Sequence, residues 1–310
     1  MPKDFYDSDL VVATYDLLTG QANQQISGDV AFYLECAKRF GGPILELGVG
    51  TGRIAWALAD AGFDVVGIDR SKTMLNTARH KGDKHADAVG RLDLIEADIT
   101  AFDLGRSFPT AIMPFSTFSH LALAEQQRAC LTCIRGHLAE SGRLVLDVFD
   151  PILDACVPDA PTPNPDREAN DPESGDTLRR RSIARTNDPL SQTFVETFRL
   201  ERIDRSGKLV DSDDATHQIR WATRQEMAYL FELCGFAFET QYSEFDGAPP
   251  AYGKRQIWIV RAAEHNCGIQ PAPLGPHTPP FALRRLHWNG IEFDPMPDHV
   301  IAELFGDELL

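Results

Sequence analysis

The segment Glu46-Leu47-Gly48-Val49-Gly50-Thr51-Gly52-Arg53 constrains this chain more than any other. It stands between a short apolar run, 43–48, and a segment of helical periodicity, 53–62. Glycines in that setting let the backbone turn tightly from a buried strand into a helix, and let a ligand lie against it with no Cβ in the way. The helix beyond offers unpaired N–H groups at its start.

The same alternation runs on. DVVGID (64–69) reads as a second strand, and Ser71 is placed to cap a helix reaching about His80. RLDLIEADI (91–99) and TAIMPF (110–115) read as the third and fourth strands. An amphipathic helix over 124–142, with Gly142 as its stop, precedes a fifth strand, 143–149. Strands separated by helices of this length imply βαβ units and a parallel sheet. Before this block, residues 1–42 read as an N-terminal helical cap that stops at Gly41-Gly42-Pro43. After it the pattern changes. Residues 156–176 are rich in Pro, Asp and Asn and read as loop, and 178–221 alternate as antiparallel strands do. Thr223 with Glu226 is a capping-box pattern for a helix over 224–234, and 237–245 and 255–262 read as two further strands. The expected organisation is a cofactor-binding domain from 43–151 and 222–262, an inserted lid and substrate region at 152–221, and a Pro-rich tail or docking appendage at 263–310.

Charge narrows the function. The formal net charge is −16, whereas a nucleic-acid binder usually shows a basic face. The one dense basic run, Arg179-Arg180-Arg181 with Arg185 nearby, is diluted by acids on both sides, so DNA and RNA are discounted as substrates. No run approaches the roughly 20 apolar residues of a membrane span, and the opening MPKDFYDSDL has no apolar signal core. With six scattered cysteines that read as reduced thiols, a cytoplasmic protein is expected.

What the glycine loop holds follows from its neighbours. Asp69 comes 21 residues after Gly48, where an acid grips a ribose diol. A dinucleotide loop would need glycine at 53, where Arg53 stands. A ligand with a zwitterionic amino acid end would instead be met by Arg53 or Glu46. Asp98 and Ile99, ending the third strand, suit an adenine: the carboxylate accepts from its amino group and the backbone contacts the ring.

The pieces ILELGVGTGRIA, VVGIDRSKTML, LIEADITAFDL, IMPFSTFSHL, SGRLVLDVFDP and RWATRQEMAYLFELCGF come in one order. Together they make residues from about 10 to 262 resemble the class I S-adenosylmethionine-dependent methyltransferases of the small-molecule type. The resemblance implies an α/β fold, a Rossmann-like seven-stranded sheet with an inserted antiparallel β lid. It implies S-adenosylmethionine as cofactor and S-adenosylhomocysteine as product. Glu46, Gly48, Gly50, Arg53, Asp69, Arg70, Met74, Asp98, Ile99 and Pro114 would line the cofactor, with Tyr15 closing over the methionine end. No metal is implied. The partner is a small-molecule acceptor methylated on oxygen or nitrogen. A homodimer and a protein partner for the tail are left open.

Other candidates keep two readings each. His120, after the fourth strand, either deprotonates a hydroxyl or amine or is a packed histidine. Arg220 and Trp221 either face the substrate or stabilise a strand edge. Tyr242, Asp246 and Tyr252 flank the last hairpin as candidate substrate contacts. Cys130-x-x-Cys133 lies in an amphipathic helix and reads as a core stripe. His265, Cys267, His277 and His287 are too irregularly spaced for a zinc site. The run Ile112-Met113-Pro114-Phe115 lacks the Asn or Asp that nucleic-acid amino methyltransferases carry before Pro-Pro, and neither the glutamate pair of protein arginine methyltransferases nor the carboxylate cluster of metal-dependent catechol methyltransferases is found. Two rival functions stand beside methyl transfer: a NAD-dependent oxidoreductase on a Rossmann fold, and a cofactor-binding protein without transferase activity that acts through its tail.

Overall fold

The apolar runs at 44–47, 65–69 and 108–113 are buried on both sides, which is what a parallel sheet covered by helices requires. In this computed structural model, which describes residues 3–4, 6, 8–20, 28–158, 160, 166–263, 287–288 and 291–292, strand β2 (Ile44–Leu47) is buried at every position. It pairs in parallel with β3 (Val65–Asp69) and β5 (Phe108–Met113). With β4 (Leu92–Glu96), β6 (Leu138–Phe149), β11 (Phe236–Tyr242) and β12 (Arg255–Ala262) these form a seven-stranded sheet of order β11-β12-β6-β5-β2-β3-β4. β12 runs antiparallel to both of its neighbours.

Side chains alternate across the sheet, so each strand feeds two cores. Leu45, Leu47, Ala111 and Met113 join one core with helices α5 (Ala124–His137) and α6 (Arg224–Leu233). Ile44 and Ile112 join the other with α2 (Asp29–Phe40) and α3 (Arg53–Asp60). Burying each such Leu or Ile contributes about 1.5–3 kcal/mol. Two of the expected caps form: Ser71 Oγ accepts from Met74 N at the start of α4 (Lys72–His80), and Thr223 Oγ1 accepts from Glu226 N.

The helix expected to reach Gly142 stops at His137. There the imidazole binds the Cys133 carbonyl through Nδ1, 2.8 Å, and accepts from Leu104 N through Nε2, 2.9 Å. Leu138 then pairs with Phe108, and Gly142 lies where a Cβ would come within 2.9 Å of the Phe108 carbonyl. Gly142 thus allows close strand approach and does not end the helix.

The second half builds a separate sheet of order β1-β10-β9-β8-β7. Strands β8 (Thr177–Asp188), β9 (Thr193–Ile203) and β10 (Leu209–Arg220) form an antiparallel meander. β7 (Arg167–Asn170) extends it from within the stretch that reads as loop, and β1 (Lys3–Asp4) adds in parallel beside β10. Helix α1 (Asp9–Gly20) covers one face, burying Leu10, Val11 and Leu18 against Leu178, Phe198 and Leu200. The first twenty residues therefore belong with the lid sheet, whereas α2 packs on the seven-stranded sheet. The single helical cap expected over 1–42 is divided between two layers.

The C-terminal unit, 266–310, shows among its described residues one hairpin, β13 (His287–Trp288) with β14 (Ile291–Glu292). The tail's docking role and its zinc question lie outside the described residues.

One buried carboxylate ties the strand ends together. Asp147, fully enclosed on β6, accepts from Phe115 N at 2.7 Å, Ser116 N at 3.1 Å and Tyr33 Oη at 2.8 Å, and pairs with Arg255. Phe115 and Ser116 both sit at φ 57°, a backbone region unfavourable to residues with a Cβ, so the turn needs this anchor. Asp147→Ala would leave Arg255 buried without its carboxylate. We expect a loss of about 3–5 kcal/mol in urea unfolding. A change under about 1 kcal/mol would show that the cluster is not a tertiary anchor.

Candidate active site

The C-terminal ends of β2, β3, β4 and β5 open onto a cavity of about 150 Å³. All eleven residues expected at the cofactor line it: Tyr15, Glu46, Gly48, Gly50, Arg53, Asp69, Arg70, Met74, Asp98, Ile99 and Pro114. Residues 68 positions apart in sequence, from Glu46 to Pro114, meet because parallel strands place their loops at one edge.

The loop glycines serve different ends. A Cβ on Gly48 would strike Thr117 Cγ2 at 2.4 Å, so this glycine answers to packing. Gly50, at φ 54°, borders open space, the nearest atom to its ideal Cβ being 4.0 Å away. Its N–H donates to Asp69 Oδ2 at 2.8 Å, while Asp69 Oδ1 accepts from Ser71 N at 2.8 Å. The carboxylate is fixed at the cavity, and each oxygen keeps lone-pair capacity for a further donor. Burial pushes the Asp69 pKa up, and the Ser71 and Gly50 N–H groups pull it back. Asp98 accepts from Thr100 N and Oγ1, both 2.7 Å, which holds its carboxyl below the usual range.

Glu46 is the most constrained group. It is 2% exposed, and its Oε2 has no hydrogen-bond partner among the described residues. Burial raises its pKa to about 8, against the opposing pull of Arg53. An unpartnered buried carboxylate oxygen aimed into the cavity fits an ammonium group. Arg53 is less free than its position in the loop suggests. Its guanidinium grips Asp29 through both Nη atoms, Nη1 to Oδ1 at 2.9 Å. Asp29, buried in the first turn of α2, was not singled out in the sequence; an acid just after Gly28 at a helix start was its only signal. Tyr15 crosses Phe115 edge-on at 6.4 Å, and burial raises its phenol pKa well above its ordinary value. Its neighbour Asp16 accepts from Thr51 Oγ1 at 2.6 Å and pairs with Lys81 at 2.5 Å, pinning α1 over the glycine loop.

A second cavity, about 740 Å³, lies between this site and the lid sheet. Tyr6, Tyr15, Phe115 and His120 wall both cavities. His120, on a 3-10 turn (Thr117–His120), puts Nε2 3.0 Å from Tyr6 Oη. Burial, with His217 and Arg70 nearby, lowers its pKa to about 3, so the imidazole is neutral at ordinary pH. Tyr6 carried no sequence signal, because its place depends on β1 joining the lid.

Five expected substrate contacts do not line either cavity. Arg220 is committed to Glu226 at 3.0 Å and Gln192 at 3.3 Å, the strand-edge alternative. Trp221 is buried with Cys156, Phe194 and Ile219. Tyr242 packs edge-on against Phe32, and Tyr252 Oη accepts from Leu153 N at 2.9 Å. Asp246 binds Ala248 N in its own turn. Cys130 is buried in the core, as its helical setting predicts.

Comparisons with known proteins bear on the fold and the family. Residues 44–142 match a family described as a methyltransferase domain. Cypemycin N-terminal methyltransferase of a Streptomyces species is 27% identical over 258 residues, covering 82% of this chain and 96% of the relative. Glycine/sarcosine N-methyltransferase of Halorhodospira halochloris is 31% identical over 141 residues, 45% of this chain and 52% of the relative. The solved CcbJ methyltransferase from Streptomyces caelestis superposes with a TM-score of 0.66 at 23% identity, over 85% of this chain and 100% of that one. Together these matches support a class I S-adenosylmethionine-dependent methyltransferase, with S-adenosylmethionine as cofactor. A NAD-dependent oxidoreductase and an inactive binding protein are thereby set aside.

Glu46 gives a measurable signature. Folding keeps on it a proton that the unfolded chain loses near pH 4.5. This contribution to stability is full below that value and is lost as pH rises through about 8. An ammonium beside Oε2 would drive the proton off. At pH 7, calorimetry in buffers of different ionisation enthalpy should show close to one proton released per S-adenosylhomocysteine bound. The release should vanish in Glu46→Gln. Equal proton release in both proteins would refute the assignment.

Proposed function

We propose that the enzyme methylates a nitrogen or oxygen nucleophile of a small metabolite seated in the larger cavity, with nitrogen favoured. The observation that carries this is the shared wall: Tyr6, Tyr15, Phe115 and His120 separate the cavity at the strand ends from a larger, acceptor-sized one. A volume of about 740 Å³ suits a drug-sized molecule. When bound, S-adenosylmethionine supplies a sulfonium methyl that passes in line to the acceptor and leaves S-adenosylhomocysteine.

The chain's residues bind and align. Glu46 would hold the amino acid ammonium, Asp69 the ribose hydroxyls, and Asp98 with the Ile99 backbone the adenine. Met74 and Pro114 would pack on the ligand, with Arg53, Arg70 and Tyr15 around its rim. Phe149, Phe194 and Ile219 give the acceptor cavity apolar walls that exclude water. Such alignment alone can supply roughly 7–11 kcal/mol of the barrier.

His120 would accept a hydrogen bond from the nucleophile at the shared wall. With its pKa near 3 it is a poor base for a hydroxyl. An amine can arrive already deprotonated by solvent, so the weak base favours nitrogen. One relative is named a glycine/sarcosine N-methyltransferase and another a cypemycin N-terminal methyltransferase. Arg220, Trp221, Tyr242 and Tyr252 do not enter this pocket.

The test is S-adenosylhomocysteine formation from S-adenosylmethionine with matched panels of amines and alcohols. Turnover confined to alcohols would defeat the preference for nitrogen; no turnover with either panel would defeat the small-acceptor reading. With a productive amine, His120→Ala should lower kcat about tenfold, the loss of one hydrogen bond. The wild-type kcat profile should show no inflection at the ordinary imidazole value near pH 6.5. An inflection there that disappears in His120→Gln would mean that His120 titrates as an ordinary base.

A further inference from the structure

The larger cavity is basic in a strongly acidic protein. Five cations line it, and two are matched locally: Arg255 by Asp147 and Lys254 by Glu244. Of the acids, Asp150 is engaged by Arg224 and Gln256. That leaves Arg167, Arg180 and Arg185 sharing the buried Glu196, and among the described residues no carboxylate lies within ion-pairing distance of any of the three.

The lid sheet is shaped to collect them. Arg180 and Arg185 are five residues apart and would point to opposite faces of a regular strand. A bulge between Ser182 and Ala184 in β8 resets the alternation and brings both to the cavity. Arg167 on β7 lies directly across the ladder from Arg180, and Arg185 directly across from Glu196. Like charges facing each other across a ladder destabilise a sheet. Arg179 and Arg181, on the other face, are satisfied by Glu168 and Glu201.

The inward guanidinium groups rest on aromatic rings. Arg180 lies 3.6 Å over Phe198 and Arg185 3.7 Å over Phe194, which fixes their planes while leaving N–H edges to bind. Arg180 Nε is buried and has no hydrogen-bond partner. Burial lowers the Arg180 pKa to about 10, the mark of a cation short of compensation.

We infer that the acceptor carries an anionic group, a carboxylate or a phosphate, which Arg180 binds together with Arg167 and Arg185 on the lid-sheet wall of the cavity. The planar, stacked guanidinium groups suit oxyanion recognition. This rests on the larger cavity being the acceptor site.

The probes are inorganic phosphate, pyrophosphate and glucuronate, added to the full chain saturated with S-adenosylhomocysteine. Phosphorus line broadening reads the first two, and saturation transfer reads the third. We expect binding by at least one probe, weakened about tenfold or more in Arg180→Gln and unchanged in Arg199→Gln. Arg199 pairs with Asp214 on the outer face and makes the same change in net charge. Broadening by the phosphates assigns a phosphorylated acceptor, and transfer to glucuronate alone assigns a carboxylate. Absence of binding by all three probes, or equal weakening in both variants, overturns the inference. S-adenosylhomocysteine affinity is measured alongside in each protein. If Arg180→Gln loses that too, Arg167→Gln carries the comparison. Failure of the anion probes with S-adenosylhomocysteine still bound overturns this inference and leaves methyl transfer standing.

Discussion

Asp147 holds the site's geometry in place. Its carboxylate joins four parts of the chain: the Phe115-Ser116 turn, Tyr33 on α2, Arg255 on β12 and its own strand. A buried charge of this kind is costly unless every partner is present. Here the partners are backbone N–H groups, a phenol and a guanidinium, so the cost is offset where the chain most needs rigidity. The turn it clamps carries Phe115, Thr117 and His120. Thr117 backs the glycine loop at Gly48, and Phe115 and His120 wall both cavities. One ion thus sets the spacing between the proposed cofactor and acceptor sites.

The two halves of the site were legible to different degrees. Glu46, Gly50, Asp69 and Asp98 announce themselves because each sits at the end of a strand, and parallel topology makes those ends converge. The larger cavity has no such rule. Arg180 lies inside a triplet whose outer members pair on the opposite face. Arg185 reaches the cavity only through a bulge that alternation in the sequence does not disclose. Tyr6 arrives there because β1 adds to a sheet formed two hundred residues later. Arg220 and Trp221 lie at the end of the right strand, yet Glu226 and the apolar cluster with Phe194 claim them first.

Net charge was a poor guide for a related reason. Screening reduces the influence of surface charges beyond about 8 Å at physiological ionic strength, while enclosed groups are screened much less. The 46 acidic residues of the chain therefore say little about a cavity ringed by three arginines. The relevant balance is local: three guanidinium groups sharing Glu196.

The lid is coupled to the cofactor site through helix α1. Its apolar side is buried on Leu178, Phe198 and Leu200 of the lid sheet, and Ser8 Oγ donates to Asp213 Oδ2 at 2.8 Å. Its other side reaches the glycine loop through Asp16, Thr51 and Lys81. Phe198, under α1, is also the ring on which Arg180 stacks. Any rearrangement that lifts α1 from the glycine loop would carry Tyr15 with it and disturb the support of Arg180. The proposed donor and acceptor sites are thus joined by one helix as well as by one wall, so opening one without affecting the other would require breaking either the Asp16 cluster or the apolar contact with the lid.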